Sequence, residues 1–368
     1  MTGGSDVQAG GVLVAMSGGV DSSTAALILK ESGHRVVGVT MKLVEDMETG
    51  PDGQARVCCS HQDIIDARSV SQKLDFEHQV HNFCQLFRRE VIERFVQAYT
   101  SGRTPNPCVD CNRRLKFGPL MERAELLGCS RLATGHYAKV ELDRKSGRWL
   151  LKRARDRSKD QSYFLYGLSQ AELARTIFPL GGYLKEEVRA LAASRGIVNA
   201  QKPDSQDICF VRDGRYDRFL ESFGPIGKPG YIINSRGTVL GCHLGLHRYT
   251  IGQRRGLGLR LPTSLFVLRL DPDGNTVTVG PEAELYSGSA LIDDVNLVSM
   301  DRLTGPIQVQ ARIRYRQREF EATAEPAGKG GIRLVFHEPQ KAVAPGQAAV
   351  LYQGEVVVGG GTIVRANP

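Results

Sequence analysis

Two stretches of this chain hold residues whose types and spacing could do chemistry, and the first lies near its start. Val12–Met16 is an apolar run that leads into the segment Ser17-Gly18-Gly19-Val20-Asp21-Ser22-Ser23 and then into an alanine- and leucine-rich region. This order predicts a strand, a glycine turn and a helix. Adjacent glycines let the backbone approach a polyanion closely, and serine hydroxyls and the amides of a new helix supply hydrogen-bond donors. The segment is therefore predicted to bind phosphate.

The loop differs from the two commonest phosphate-binding motifs. It lacks the Gly-Lys-Ser/Thr ending of the kinase and GTPase loop, and it is not the Gly-x-Gly-x-x-Gly dinucleotide fingerprint. Its sequence, SGGVDSS, resembles the pyrophosphate loop of ATP pyrophosphatases, which cleave ATP between the α and β phosphates and adenylate an oxygen of the substrate. A purely structural turn is the alternative.

The second stretch contains cysteines. Cys108 and Cys111 follow two prolines and come just before a predicted helix, whose N-terminus would lower a thiol pKa, and Cys209 lies in a polar turn. Structural zinc needs four ligands and only one CxxC is present, but three cysteines could hold an iron-sulfur cluster. The chain has eight cysteines, of which Cys84, Cys129 and Cys242 are predicted to be small buried hydrophobes; Cys58 and Cys59 are left undecided.

The elements that position these residues alternate in the first half of the chain. Strands are predicted at Val12–Met16, Arg35–Lys42, Phe76–Val80 and Arg131–Thr134. Helices are predicted from Asp21 or Ser22 as cap to Lys30, from Ser60 to Leu74, at Phe87–Tyr99 and at Leu115–Leu127. This alternation is typical of a parallel α/β sheet, in which ligands lie beyond the carboxyl ends of the strands. The loop, Met41 and Gly135 are therefore expected to border one pocket.

After about Phe210 the pattern changes to short alternating runs broken by glycine and proline. A last series of strands from about Gly288 predicts a small β-barrel. We therefore expect three domains: a nucleotide-binding α/β domain with a Rossmann-like parallel sheet at 1–212, a small mainly β central domain at 213–287 and a C-terminal β-barrel at 288–368.

The amino-acid composition limits which classes of protein this chain could belong to. The 368 residues carry 48 Lys and Arg against 40 Asp and Glu, a net charge of +8 that is compatible with a polyanionic partner. One basic cluster runs from Arg148 to Lys159, and alternating arginines in Arg312–Arg318 are predicted to line one face of a strand. Solvated charged faces are the alternative for both. The sequence shows neither a leader nor an apolar run long enough for a bilayer, so a cytoplasmic protein with reduced thiols is expected.

Eight motifs, in order and over nearly the whole chain, resemble the tRNA-specific 2-thiouridylase family. They are SGGVDSS, CCS, RTPNPCVDCN, ATGHYAKV, KDQSYFLYGL, KPDSQDICFV, HRYTIGQRRGLGL and RIRYRQ. The resemblance implies an adenine nucleotide α hydrolase-like first domain, a small central domain and a barrel. It also implies ATP-dependent 2-thiolation of the wobble uridine of tRNAs for Lys, Glu and Gln. Mg2+ and a sulfur donor, such as a cysteine desulfurase or a sulfur-relay protein, are implied as cofactor and partner.

The resemblance also implies roles for individual residues. Cys111 matches the catalytic nucleophile, and Cys209 matches the cysteine that carries sulfur as a persulfide. The positions that match ATP-binding residues are Ala15, Met16, Ser17, Gly18, Gly19, Val20, Asp21, Ser22, Met41 and Gly135. The positions that match tRNA-contacting residues are Asn106, Pro107, Cys108, Lys159, Asp160, Gln161, Arg314 and Tyr315. Asp21 could act through Mg2+ or as a helix cap.

The chain departs from the family pattern at Cys108, which takes the place of the aspartate in NPDxxCN. The resemblance implies that members with this cysteine are candidates to hold an iron-sulfur cluster, here on Cys108, Cys111 and Cys209. Two sulfur routes are therefore open, the cluster and a protein persulfide. We favour a persulfide on Cys209, because a reactive cysteine pair needs no added cofactor. A pyrophosphate-loop ligase for a small carboxylic acid and a noncatalytic RNA-binding or cluster-carrying protein are the rival functions.

Overall fold

The computed structural model describes residues 10–45, 61–204, 208–211, 214–224, 226–259 and 263–367. The described residues fall into two compact units. One unit comprises residues within Met1–Val91 and Asp110–Arg212, and the other comprises residues within Ile92–Val109 and Asp213–Pro368. Cys58 and Cys59 lie outside the described residues. The domain boundaries expected from the sequence, at 212/213 and 287/288, stay predictions.

The first unit is built on a parallel sheet. Its strands are β1 (Gly11–Ala15), β2 (Val36–Lys42), β3 (Glu77–Asn82), β4 (Cys129–Thr134), the hairpin β5 (Lys139–Asp143) and β6 (Arg148–Lys152), and β7 (Thr176–Ile177). Five of them form the sheet in the order β3-β2-β1-β4-β7, and each adjacent pair in it is parallel. β1 is buried along its length because helices cover both faces of such a sheet. The predicted α/β fold is confirmed.

Helices lie between these strands in the chain and after β7. They are α1 (Val20–Glu31), α2 (His61–Lys73), α3 (Cys84–Phe87), α4 (Glu93–Thr100), α5 (Pro107–Cys111), α6 (Pro119–Leu126), α7 (Gln170–Ala174) and α8 (Lys185–Ser194). A π-helical segment, Arg88–Ile92, interrupts the helix predicted at Phe87–Tyr99, and a second one, Asn112–Lys116, overlaps the start of the helix predicted at Leu115–Leu127. Gly33 ends the α1 region with a φ of 81°, as predicted for a left-handed position. None of the described helices is long and apolar enough to cross a membrane.

The second unit contains α4, the helix α9 (Tyr216–Glu221) and two sets of strands. Its smaller sheet has the order β10-β11-β8-β9 and is formed by β8 (Gly230–Asn234), β9 (Val239–His243), β10 (Phe266–Asp271) and β11 (Thr276–Gly280). It packs a core that includes Ile232, Val267 and Val277. The predicted central β region is therefore present.

Six antiparallel strands then close into a barrel, as predicted. They are β12 (Tyr286–Leu297), β13 (Ile307–Arg312), β14 (Phe320–Ala327), β15 (Gly331–Lys341), β16 (Ala348–Gln353) and β17 (Val356–Asn367). The order is β12-β15-β14-β13-β16-β17, and pairing of β12 with β17 closes the ring. Alternate residues of every strand fill the interior, among them Val309, Leu334 and Leu351.

Candidate active site

The SGGVDSS loop joins the carboxyl end of β1 to the start of α1, and steric contacts fix two glycines around it. Gly18 has a φ of 70°, and a Cβ there would lie 2.4 Å from the carbonyl oxygen of Asp63. A Cβ on Gly135, directly after β4, would lie 2.7 Å from the amide nitrogen of Ser22. Both positions exclude any side chain, so the loop backbone is packed closely between α2 and the end of β4.

The predicted side-chain cap of α1 is wrong. Gly19 is the N-cap residue, and no side chain caps this end of the helix. The Ser22 hydroxyl instead donates to the Gly19 carbonyl at 3.1 Å and accepts from the Ser17 amide at 3.2 Å. The serine thus closes the loop on itself. The helix N-terminus, with its positive dipole end, is left for an anionic ligand.

The other predicted ATP residues lie on the same edge of the sheet. In the strand register Ala15 is opposite Val39 of β2 and Thr134 of β4. Met41 therefore lies two residues further along β2, and Gly135 comes directly after β4. The structure brings the loop, Met41 and Gly135 to the carboxyl ends of three neighbouring strands, where open α/β sheets bind ligands.

Two residues far along the chain hold the loop from outside, and the sequence alone did not identify them. Asn199 Nδ2 donates to the Gly18 carbonyl and to Ser23 Oγ, both at 2.9 Å. Lys202 Nζ donates to the same carbonyl at 3.1 Å and forms 2.6 Å ion pairs with Asp63 and Asp66 of α2. The only available signal was that Lys202 opens the KPDSQDICFV motif.

A buried lysine makes a charge cluster beside the loop. Lys185 Nζ lies 2.7 and 2.8 Å from the two carboxylate oxygens of Asp21 and 2.8 Å from Asp204 Oδ1. The Tyr137 hydroxyl donates to Asp21 Oδ1 at 2.9 Å, and burial together with the charge of Asp21 raises the Tyr137 pKa. Asp21 is thus not a helix cap; both its oxygens accept from Lys185, and its role toward Mg2+ stays a prediction.

Asp204 forms ion pairs with three cations of this cluster. It also pairs with Lys159 at 2.8 Å and with Arg189 at 2.9 Å. Burial alone would raise its pKa, but hydrogen bonds from Lys159 and Lys185 outweigh burial and lower the pKa to about 2. Asp156 accepts from the Lys185 backbone amide at 3.0 Å. The cluster therefore contains three acids, Asp21, Asp156 and Asp204, and three cations, Lys159, Lys185 and Arg189.

Cys111 and Cys209 are the two cysteines of the first unit that the sequence predicts to be reactive. Both lie in segments that contact α3 or the Arg88–Ile92 segment after it. Cys111 is half-buried at the end of α5, and Arg114, one turn on, pairs with Asp110 at 3.5 Å and with Glu90 at 3.9 Å. Cys209 is also half-buried, and the adjacent Phe210 packs edge-to-face on Phe87 of α3 at 5.7 Å between ring centroids.

The remaining cysteines differ in exposure. Cys108 is exposed on α5. Cys84 and Cys129 are buried as predicted, and burial raises the pKa of Cys84 to about 11. The prediction for Cys242 is wrong: it is exposed, because it lies opposite Tyr231 on β9, an edge strand. Within the described ranges, no group of three His, Cys, Asp or Glu side chains is placed to hold a metal ion, and the iron-sulfur cluster stays a prediction.

Side chains of the Lys159-Asp160-Gln161 turn hydrogen-bond to other groups of the protein. The buried Asp160 carboxylate accepts from the Ala154 amide at 3.0 Å and from the Ser162 hydroxyl at 2.8 Å. Gln161 Oε1 accepts from the Tyr137 amide at 3.0 Å. The turn therefore supports the residue that contacts Asp21, and its contact with tRNA stays a prediction.

The basic cluster from Arg148 to Lys159 is partly neutralised within the first unit. Lys152 pairs with Glu141 at 2.5 Å, and Arg155 pairs with Glu187 at 3.0 Å. Arg153 is buried.

The predicted arginine stripe of the barrel is wrong. β13 ends at Arg312, and the chain then turns, with the Gln317 amide donating to the Arg314 carbonyl at 3.2 Å. The two-residue period of a strand stops at this turn, so the arginines do not share a strand face. Arg312 pairs with Glu319 at 2.8 Å, and Arg314 donates to the Ala342 carbonyl. Arg314 and the half-buried Tyr315 lie in or beside this turn.

The loop before Cys108 is fixed by the barrel of its own unit. Gln347 Nε2 donates to the carbonyls of Thr104 and Pro105 at 3.0 and 3.1 Å. Pro107 is buried at the start of α5, and Asn106 before it is half-buried.

Comparison with family models gives three matches in chain order. Residues 10–213 match a tRNA methyl transferase HUP domain, 217–281 a tRNA methyl transferase PRC-barrel domain and 287–363 an aminomethyltransferase beta-barrel domain. The chain is thus of the class that joins a HUP α/β domain to a PRC-barrel and a C-terminal β-barrel.

Individual relatives narrow this class. The chain is 49% identical to the tRNA-specific 2-thiouridylase MnmA of Halothermothrix orenii, over 97% of this chain and 99% of that protein. It is 51% identical to the protein of the same name from Moorella thermoacetica, over 95% and 98%. The chain therefore belongs to the tRNA-specific 2-thiouridylase family. A solved 4-thiouridine synthetase–RNA complex with bound ATP matches at 18% identity and a TM-score of 0.38, covering 58% of this chain and 50% of that one.

Proposed function

We propose that this protein catalyses ATP-dependent 2-thiolation of the wobble uridine of tRNAs for Lys, Glu and Gln in the cytoplasm. The observation that carries the proposal is the loop between β1 and α1, with an uncapped helix N-terminus and the Lys185 cluster beside it. Such a site fits the polyphosphate of ATP. Family membership and the two half-buried cysteines, Cys111 and Cys209, support thiolation as the reaction that follows.

The first step activates a poor electrophile. The C2 oxygen of uridine attacks the α-phosphorus of ATP, and pyrophosphate leaves as its bond to that phosphorus breaks. The loop amides and the α1 dipole stabilise the charge on the departing pyrophosphate. Mg2+ bound to the phosphates would add electrophilic assistance; Asp21 would have to exchange its Lys185 contacts before it could serve as a ligand.

The second step replaces oxygen with sulfur. The terminal sulfur of a Cys209 persulfide attacks C2 and expels AMP, which takes the C2 oxygen with it. The Cys111 thiolate then attacks Cys209 Sγ, and the electron pair of the broken S–S bond stays on the sulfur now attached to C2. The products are 2-thiouridine and a Cys111–Cys209 disulfide, which an external thiol must reduce before the next turnover.

The test supplies unmodified tRNA for Lys, ATP, Mg2+ and a low-molecular-weight persulfide, and it detects 2-thiouridine by nucleoside mass spectrometry. Cys111→Ser and Cys209→Ser are expected to abolish the product while ATP binding persists. Cys242→Ser, at an exposed cysteine outside the proposed chemistry, is the matched control and should remain active. Full turnover by Cys209→Ser would refute its role.

Two further measurements separate the alternatives. Stoichiometric iron and sulfide after anaerobic purification, with activity that depends on them, would replace the persulfide route with a cluster held by Cys108, Cys111 and Cys209. Pyrophosphate release that needs a small carboxylic acid and no tRNA would indicate a ligase.

A further inference from the structure

A continuous groove runs between α3 and α6 in the first unit. It consists of two adjoining cavities of about 740 and 350 Å³, which share Leu86, Arg89 and Pro119 as lining residues. We call it the α3–α6 groove. Its volume is enough to receive several side chains of another molecule.

The lining of the α3–α6 groove combines arginine with exposed apolar surface. Arg89, Arg113, Arg114 and Arg123 line it, and no lysine is found among its described lining residues. Leu126 at one end is 76% exposed, although it is a large apolar side chain. Enrichment in arginine over lysine around an apolar centre is the composition of protein–protein interfaces.

The same lining disfavours RNA as the occupant. Four arginines outnumber Glu90 and Glu122 in the lining, so charge alone suits a phosphate backbone and an acidic protein surface alike. Leu86 and Leu126 offer apolar contact that a backbone of sugar and phosphate does not use. A protein surface with an apolar side chain and an acidic rim matches the groove in both respects.

The groove also shares elements with the segments that carry both reactive cysteines. Arg113 and Arg114 follow Cys111 in the chain by two and three residues. Phe87, next to the groove residue Leu86, contacts Phe210 beside Cys209. A protein seated in the groove would therefore bind next to the segments that exchange sulfur.

We propose that the α3–α6 groove is the docking surface for the protein that delivers sulfur, which presents an apolar side chain within an acidic rim. The inference rests on the proposed function. In the transfer, the Cys209 thiolate attacks the terminal sulfur of the donor's cysteine persulfide. The donor's S–S bond breaks, the donor leaves as a thiolate, and Cys209 becomes the persulfide with no net oxidation or reduction.

The test compares two sulfur sources in the full-length protein. One arm uses [35S]cysteine with the cysteine desulfurase of the same organism, and any relay protein that it needs; the other uses a low-molecular-weight persulfide, which loads Cys209 by thiol exchange without a docked protein. The variants are Leu126→Asp and Arg123→Glu, which change exposed side chains of the groove. Leu142→Asp, at a leucine of β5 that is 41% exposed, and Arg302→Glu, at an exposed arginine of the second unit, are the matched controls.

Both groove variants are expected to slow protein-fed labelling of Cys209 and 2-thiouridine formation at least tenfold. Their rate with the low-molecular-weight persulfide and their tRNA affinity should stay within twofold of the unsubstituted protein, and the control variants should behave normally in both arms. Unchanged protein-fed rates would overturn the inference. Equal loss in both arms with weaker tRNA binding would make the groove an RNA surface, and a changed sedimentation mass would make it an interface between copies; each overturns it. If the low-molecular-weight persulfide gives no 2-thiouridine with the unsubstituted protein, the proposed function itself fails.

Discussion

Replacement of Lys185 by methionine tests whether the charge cluster prepares the loop for phosphate. Methionine keeps most of the length of the buried side chain and removes its charge. The Lys185 ammonium lies within 2.8 Å of oxygens of both Asp21 and Asp204, so those oxygens are at most about 5.6 Å apart. At that separation and an effective dielectric constant of about 20, their repulsion without the lysine is at least about 3 kcal/mol.

ATP binding should report this repulsion. Asp21 is the second residue of α1, so its uncompensated charge would lie within about 7 Å of a phosphate at the helix N-terminus. A unit charge at that distance costs about 0.6–2.4 kcal/mol for dielectric constants between 80 and 20, which corresponds to roughly a tenfold rise in the Kd for ATP. Adenosine, which has no phosphate, should bind the variant and the unsubstituted protein equally.

A double variant separates charge from packing. Lys185→Met/Asp21→Asn removes the carboxylate charge near the phosphate together with the lysine, so it should recover much of the lost affinity at pH 8. Calorimetric titration with ATP measures the Kd of each variant. A Kd ratio near one for Lys185→Met, or no recovery in the double variant, would refute the reasoning.

Three other outcomes follow from contacts around the loop. Gly18→Ala should lower the free energy of unfolding by at least about 1–2 kcal/mol and prevent ATP binding, because its Cβ would meet the Asp63 carbonyl, whereas Gly182→Ala, whose Cβ would meet nothing, should leave stability unchanged in urea unfolding. Lys202→Met should weaken ATP binding in calorimetric titration, since it removes the hydrogen bond to the Gly18 carbonyl. The stabilising effect of the Asp204 carboxylate should be fully present above pH 4 and be lost as pH falls toward 2, because its folded-state pKa is lowered to about 2. Asp204→Asn and the unsubstituted protein should therefore differ in unfolding free energy at pH 6 and converge near pH 2.

The sequence predicts the loop well because the loop is a local structure. A strand, two glycines and a helix start lie within a dozen residues, and the φ of Gly18 at 70° is the conformation that only glycine adopts without strain. The parallel sheet is also predicted, since its strands are apolar runs separated by helical periods. Both the loop and the sheet can thus be predicted from residue types and their spacing over short stretches of sequence.

Side-chain partners of the loop could not be predicted in the same way. Lys185 and Lys202 are more than 160 residues from Asp21 and Gly18, and only the packing of α8 and the following segment brings them together. A lysine at the start of a helix opposes the helix dipole, so local reasoning would place Lys185 in solvent. The acids that compensate it belong to other parts of the chain.

Helix interruptions and turns explain the other errors. The helix predicted at Leu115–Leu127 is broken because Pro119 restricts Gly118 and begins α6 as its first residue. The arginines of the barrel alternate as in a strand, yet the chain reverses after Arg312. Alternation cannot distinguish a strand from the turn that follows it when the same residue type continues through both.

The KPDSQDICFV motif shows how one stretch can serve two steps of a reaction. Its first residue, Lys202, holds the Gly18 carbonyl of the phosphate loop, and its third, Asp204, completes the Lys185 cluster beside Asp21. Cys209 follows five residues after Asp204. One short segment of the chain thus holds the loop that is proposed to bind ATP and also contains the cysteine that is proposed to carry sulfur.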